Sequence, residues 1–447
     1  MASLAPATQM RQTAGATGYA WYVALLLAGA HLLSFVDRFL MSLVMEPLKA
    51  DLGVSDTQLG LLQGTGFVIL YTVAAVPLGW LADSINRRRL IIVGIVLWSI
   101  ATALCGLANS FGSLFIARIG VGFGEAALVP AAMSLLSVYF PRRQLGRAVS
   151  MFTTGASLGK GVALIGGGAI LAWATARGGF ALPLIGAVKP WQATFLIMGL
   201  PGFLLALLLL TVREPARAPA IAKPSVAAAL SHVRSNRAVF ATHVAASAVV
   251  VLLVQSLAAW APSFYVRFLA LSPAQAGYAV GTVALVASPL GHLCGGMLTD
   301  WFQARGARSP TAPVIVAGLL ATIPCAVVFA IARSLPVSIA AYAAMSFCVT
   351  IASPATLAGL QMLTPDRLRG VVTSMFLAVT TFTGIGFGPP LIGFLSDHLF
   401  GGPLGLAHSI LLVVPIFALA GVGLALLSRP HFAATANAAH GPEELTA

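Results

Sequence analysis

Twelve apolar stretches, each long enough to cross a bilayer, are what this chain has to fold around. They fall at roughly 20–45, 57–82, 90–109, 112–139, 147–175, 191–212, 238–266, 275–299, 311–332, 336–362, 370–395 and 406–428. A helix needs about 20 apolar residues to cross a hydrocarbon core of about 30 Å, whereas a barrel strand needs only about ten. Helices also satisfy their own backbone hydrogen bonds where no water can do so. The expected fold class is an all-α membrane protein with twelve transmembrane helices. Composition excludes the soluble alternative, since 8% of the 447 residues are charged against about 25% in soluble domains.

The net charge of +13 does not point to nucleic acid, because the basic residues recur in short hydrophilic breaks and form no single patch. With both termini placed in the cytoplasm, 17 of the 25 Lys and Arg lie in inside loops and tails, 5 in outside loops and 3 within spans. That bias is the signature of cytoplasmic loops, and it orients the chain in a bacterial-type inner membrane. Met1–Gly18 carries one basic residue, Arg11, and the apolar run after Tyr19 is too long for a signal-peptide core, so no cleaved leader is expected. Cys105, Cys294, Cys325 and Cys348 sit in apolar segments without disulfide or metal spacing, and His31, His243 and His292 form no metal motif. Neither a metal nor a cofactor is expected. No nucleotide-binding loop is present, so work must be drawn from a gradient.

The longest hydrophilic break, Arg213–Arg237, is rich in Pro, Ala and basic residues and reads as a linker. The expected organisation is a tail (1–19), a six-helix half (20–212), the linker (213–237), a second six-helix half (238–428) and a C-terminal tail (429–447). Internal similarity supports two halves. Gly79-Trp80-Leu81-Ala82-Asp83 recurs as Gly296-Met297-Leu298-Thr299-Asp300, and Gly146 with Ser150-Met151-Phe152 recurs as Gly370 with Ser374-Met375-Phe376. Parallel repeats of this kind are the architecture of secondary transporters.

Charge inside the spans is where chemistry is expected. Ionised side chains at the centre of a spanning helix cost roughly 2.5–3.5 kcal/mol each. Of the twelve acidic residues only Asp37 and Glu125 fall inside spans, and the basic residues there are Arg38, Arg118 and Lys160. Arg118 and Glu125 are seven residues apart on one helix face, among Gly120, Gly122 and Gly124. Small residues let a neighbouring helix approach, so this face is either a packing seam or a pathway, and the pathway is the expectation. At a rise of ~1.5 Å per residue, Asp37 and Arg118 come to a similar level and Glu125 lies near the midplane, with Lys160 between. Asp37, Glu125 and Arg118 are the expected proton-coupling set, with Arg118 holding Asp37. Arg38 points about 100° away from Asp37 on its helix. Arg38 and Lys160 are the expected substrate-binding charges, Lys160 being alternatively a counter-ion for Glu125. The competing structural view is a static ion-pair network that holds spans one, four and five together.

Twelve spans, the long central loop, and Gly79-x-x-x-Asp83 followed by Arg87-Arg88-Arg89 resemble the major facilitator superfamily, from about Ala20 to Leu427. Ser84 stands where that family usually has a basic residue, and Asn86 where it has glycine; Asn tolerates a left-handed turn better than most residues. Phe35-Val36-Asp37-Arg38, Arg118-x-x-x-Gly122-x-Gly124-Glu125-Ala126 and Trp260-Ala261-Pro262-Ser263-Phe264 look most like the Spinster family. The resemblance implies the major facilitator fold and a gating role for Asp83, Arg87, Arg88, Arg89 and Asp300. In it, Asp83 caps the helix starting near Gly370 and Asp300 the one near Gly146. It also implies that Gln255 and Trp260 of span seven line a substrate cavity. The function expected is secondary active transport by alternating access, coupled to protons, of an amphipathic or anionic small molecule such as a lysolipid or sphingoid-like compound. The span-one and span-four features are shared in part with sugar-acid symporters, which makes proton-coupled import of small organic acids the alternative. A non-transporting membrane sensor is the alternative of another class, although no stretch here is long enough for a folded extramembrane domain. Without a nucleophile elbow or metal cluster, the chain is not expected to be an enzyme. Its partners would be substrate, protons and membrane lipid, with no nucleic acid, and the chain would act as a monomer.

Overall fold

The structure, a computed structural model, describes residues 17–182, 186–215 and 226–440. Within them, twelve helical segments are long and apolar enough to cross a membrane, matching the twelve apolar runs. The first is α1 (Gly18–Leu52), opened by the Thr17 side chain, which accepts from the Ala20 N–H, and closed at Gly53 in the left-handed conformation. Span two is two helices, α2 (Asp56–Gln63) and α3 (Thr65–Ser84). The reciprocal Ser55–Gln58 capping box starts α2, satisfying two N–H groups that a helix end otherwise leaves open.

After α4 (Arg87–Cys105), span four is also broken, into α5 (Phe111–Glu125) and α6 (Leu128–Tyr139). Then come α7 (Arg142–Ala176) and α8 (Pro190–Leu209). The second half holds α9 (Val226–Ser235), α10 (Arg237–Leu269), α11 (Pro273–Ala304), α12 (Thr311–Ile331) and α13 (Leu335–Met362). It ends with α14 (Arg369–Leu395), whose last turn widens into a π-turn at Ser396–Phe400, and α15 (Gly405–His440).

Three features lie outside the twelve expected spans. Between α7 and α8 lies a short antiparallel hairpin, β1 (Phe180–Leu182) and β2 (Gly186–Val188), with Phe180 opposite Val188. Gly178, Gly179 and Gly186 adopt positive φ there, which costs glycine little. The linker contains α9, an alanine-rich segment favourable for helix, and its Ala229 is buried in a cluster with Phe240, Leu363, Val372 and Phe432. Helix α15 runs past Ser428, because Phe432 and Ala436 bury themselves in the same cluster.

Two compact units emerge. One contains the chain up to Gly53, then Gly66 to the start of the linker, and Pro273–Gly281; the other contains Val54–Thr65, the segment up to Ser272, and Thr282 onward. Each sequence half thus lends the start of one helical span to the other. A Cβ on Gly60 of α2 would lie 2.6 Å from the Pro389 carbonyl of α14, and one on Gly277 of α11 would lie 2.6 Å from the Leu164 carbonyl of α7. Spans two and eight are repeat equivalents, as are spans eleven and five, so the same backbone approach occurs twice.

Candidate functional site

Helix α5 stops at Glu125. Ala126 and Ala127 form a turn before α6 begins, so the carboxylate sits at a break in span four. The glycine face is packed: a Cβ on Gly124 would lie 2.7 Å from the Trp98 nitrogen of α4, and one on Gly122 would overlap the Phe67 carbonyl of α3. The glycines are therefore a packing seam, and they let α5 lie close enough to α3 and α4 to bury its two charges. Arg118 and Glu125 are each 1% exposed and Asp37 is 4% exposed.

Arg38 is the partner of Glu125. Its Nε donates to Glu125 Oε2 at 2.8 Å and its Nη2 lies 2.7 Å from the same oxygen. The guanidinium is boxed by three rings, with centroids 4.7 Å (Phe35), 4.5 Å (Phe67) and 4.9 Å (Tyr71) away. Such faces attract a cation and exclude water around it. The turn away from Asp37 anticipated for Arg38 is what carries it to α5. Arg118 Nη1 donates to the main-chain carbonyl of Asp37 at 3.1 Å. Arg118 therefore ties α5 to α1 at the level where Asp37 leaves it.

Two carboxyl oxygens, Asp37 Oδ1 and Glu125 Oε1, accept no hydrogen bond among the described residues. A buried polar atom left this way costs about 1–3 kcal/mol, more for a charged group. Lys160 of α7 does not serve as the counter-ion of Glu125: its Nζ lies 5.1 Å from the Phe39 ring centroid, and it forms no ion pair among the described residues.

Span seven contributes differently from expectation. Trp260 is fully buried, and its Nε1 donates to the Pro389 carbonyl of α14 at 2.9 Å. Here its indole fastens α10 to a main-chain carbonyl of α14 at the Pro389-Pro390 pair. Gln255 is half-buried on α10.

A second polar centre lies within the other unit, where Asp56 opens α2. Arg267 clamps it through Nη1 to Oδ2 at 2.6 Å and Nη2 to Oδ1 at 2.8 Å, and Ser396 Oγ donates to Oδ2 at 2.7 Å. Asp397 caps α2 in turn, accepting from the N–H of Asp56 at 3.1 Å and from both N–H and Oγ1 of Thr57 at 2.6 Å. A carboxylate at a helix N-terminus meets open N–H donors and the favourable end of the dipole. Asp56, Arg267 and Asp397 were not singled out from sequence, because charges at span ends are ordinary. The one available signal was Ser55-x-x-Gln58, which marks the helix start that Asp397 caps.

The sequence profile of the Major Facilitator Superfamily matches residues 27–375. The chain belongs to this superfamily. It is thus an integral multi-pass membrane protein and a transporter of small molecules, not an enzyme. An MFS-type efflux pump of Mycolicibacterium smegmatis is 29% identical over 410 residues, covering 90% of this chain and 91% of the pump. Protein spinster of Drosophila melanogaster is 27% identical over 318 residues, 68% of this chain and 49% of the fly protein. Among solved structures, a bacterial homologue of the human lysosomal transporter Spinster, in an inward-facing and unoccupied conformation, superposes with a TM-score of 0.79 at 24% identity. The match covers 95% of this chain and 98% of that one. Within the superfamily the chain is Spinster-like.

The superfamily's loop after span two holds its own linker. Arg87 is buried; its Nε donates to Glu214 at 2.7 Å, and its Nη2 to the Pro215 carbonyl at 3.2 Å. Arg88 reaches the Val212 carbonyl at 2.8 Å. Asn86 does not make the left-handed turn that replacing glycine suggested. It sits in extended backbone as the N-cap of α4, its Oδ1 accepting from the Arg89 N–H at 2.9 Å. Asp300 is exposed at the end of α11, and the Asp83 side chain lies outside the described residues.

Proposed function

We propose that this transporter is proton-coupled and carries an amphipathic or anionic small molecule, with Glu125 and Arg38 as the coupling pair. The observation that supports this most is the half-satisfied Glu125 carboxylate, with Arg38 held on one oxygen and no hydrogen bond on the other. A proton has a place to go, and taking it removes the charge that holds Arg38. The released guanidinium, still inside its aromatic box, is then available to an anionic substrate group. Substrate anion and Glu125 carboxylate compete for one cation, and protonation decides the competition for the substrate. That links proton and substrate without a wire between distant sites.

Asp37 is the second carboxyl with an open oxygen, and Arg118 positions it through the α1 main chain. Lys160, beside Phe39, is a second cation for a doubly charged headgroup. Alternating access then follows from rocking of the two halves about the midplane, with basic loops on the cytoplasmic side. Asp83, Arg87, Arg88, Arg89 and Asp300 are assigned to gating on the side of those loops, and Asp56 with Asp397 is a latch at the opposite ends of spans two and eleven.

Uptake and efflux in proteoliposomes, with a panel of lysolipids and small organic anions and with or without a pH gradient, test the reading. Saturable lysolipid flux that responds to the gradient is expected. Flux of sugar acids alone would replace the amphipathic substrate with a compact one, and flux indifferent to the gradient would remove proton coupling.

A further inference from the structure

Away from the charged site, the unit that contains α10, α14 and α15 carries a cleft of about 640 Å³, within the roughly 300–1,000 Å³ of ligand pockets. Its lining follows α10 from Arg237 to Leu252 and α14 from Val372 to Thr383. At ~1.5 Å per residue those stretches are about 22 Å and 16 Å long. One leaflet of a ~30 Å hydrocarbon core is about 15 Å deep, so the cleft has the length of a single acyl chain.

Polarity is confined almost wholly to one end. Apart from Thr383, whose hydroxyl is spent on the Val379 carbonyl, the polar lining residues are Arg234 of α9 and Arg237 of α10. Both arginines are exposed, and neither is ion-paired to a described carboxylate. They flank the start of α10, where Asn236 makes no side-chain capping bond. Along the walls, Ala241 and Val379 are exposed, which leaves the cleft open on one side.

We propose that this cleft holds one anionic glycerophospholipid of the surrounding leaflet, its phosphate on Arg234 and Arg237 and one acyl chain along α10 and α14. The second chain stays in the bilayer through the open side. The occupant is chosen by charge and length together: two cations at the interface and an apolar slot one leaflet deep. The site uses none of Asp37, Arg38, Arg118 or Glu125 and stands apart from the transport reading.

Native mass spectrometry of the full chain, purified in detergent and offered equal amounts of phosphatidylglycerol and phosphatidylcholine with matched chains, tests it. Wild type should retain one phosphatidylglycerol per chain in preference. Arg234→Gln or Arg237→Gln should weaken that preference roughly fivefold each, and both together about thirtyfold. Ala248→Phe, which puts a ring into the slot with both arginines intact, should lower retention of both lipids. Equal retention of the two lipids by wild type, or a preference that survives the double arginine substitution, would overturn the assignment. If Ala248→Phe does not fold, the two exposed arginines still decide the matter. Because lipid retention is read and not flux, failure here is distinguishable from failure of the transport reading.

Discussion

The same architecture is built twice in this chain, and its two interiors are chemically unlike. The 224-residue offset between the matching Gly-to-Ser-Met-Phe segments sets Tyr342 opposite Arg118 and Val349 opposite Glu125. The 217-residue offset of Gly79 and Gly296, which also separates the left-handed C-caps Gly53 and Ala270, sets Val254 and Gln255 opposite Asp37 and Arg38. All four charges of the first interior thus become neutral in the second. Tyr342 there packs with Phe329 at 5.4 Å and Tyr265 at 6.3 Å between ring centroids, and Trp260 bonds a backbone carbonyl. Packing alone therefore does not require the charges, since the repeat folds without them. That is the physical reason to assign them to transport, because buried ion pairs are weak contributors to stability and are often replaceable by apolar groups.

Breaking the pair from one side should have the largest effect on this contrast. Arg38→Met leaves the buried Glu125 carboxylate without its hydrogen-bonded cation, at a cost of about 3–5 kcal/mol. Adding Glu125→Leu, which makes the first interior resemble the second, should restore most of the loss. Thermal unfolding in detergent measures both, and a double variant no more stable than Arg38→Met would mean that the pair supports the fold. Next in size is the reverse transplant. Val349→Glu puts a carboxylate where no guanidinium waits, with an expected cost of roughly 2.5–3.5 kcal/mol. A variant as stable as wild type would show that the second interior has a hidden cation partner.

The smallest effect belongs to the latch. The two span exchanges also differ: α11 meets α7 through Gly277 and Gly281 against Leu164 and Ile165, whereas α2 meets α14 through Asp56 and Asp397 as well. Asp397→Asn removes the charge at the α2 N-terminus, worth about 0.3–2 kcal/mol, and keeps only one of the two oxygens that accept there. Labelling of a cysteine introduced at Thr57 should become several-fold faster. Unchanged labelling would reduce Asp397 to an ordinary cap.

What could be read from sequence follows from which forces are local. The twelve spans rest on apolar length, and the two halves on a repeat, so both were legible. Asp37, Arg38, Arg118 and Glu125 stood out because charge is rare in a span. Their partners did not, since choosing Arg38 over Lys160 for Glu125 depends on how α1 and α7 approach α5, which spacing along one helix does not encode. The break after Glu125 was equally silent, because Ala126-Ala127 is good helix sequence. Trp260 looked like a cavity residue until the Pro389 carbonyl appeared beside it. Helix α9 and the end of α15 were read as linker and tail because neither has an apolar run long enough for a span, and it is the burial of Ala229 and Phe432 in one shared cluster that anchors them.

The central claim is that Glu125 carries the proton that releases Arg38. Glu125→Gln fixes that position in a neutral, near-isosteric form. In liposomes with a substrate identified by the flux panel, the account predicts that Glu125→Gln still exchanges substrate across the membrane but no longer accumulates it when a pH gradient is applied. Accumulation at the wild-type level under the same gradient would contradict it.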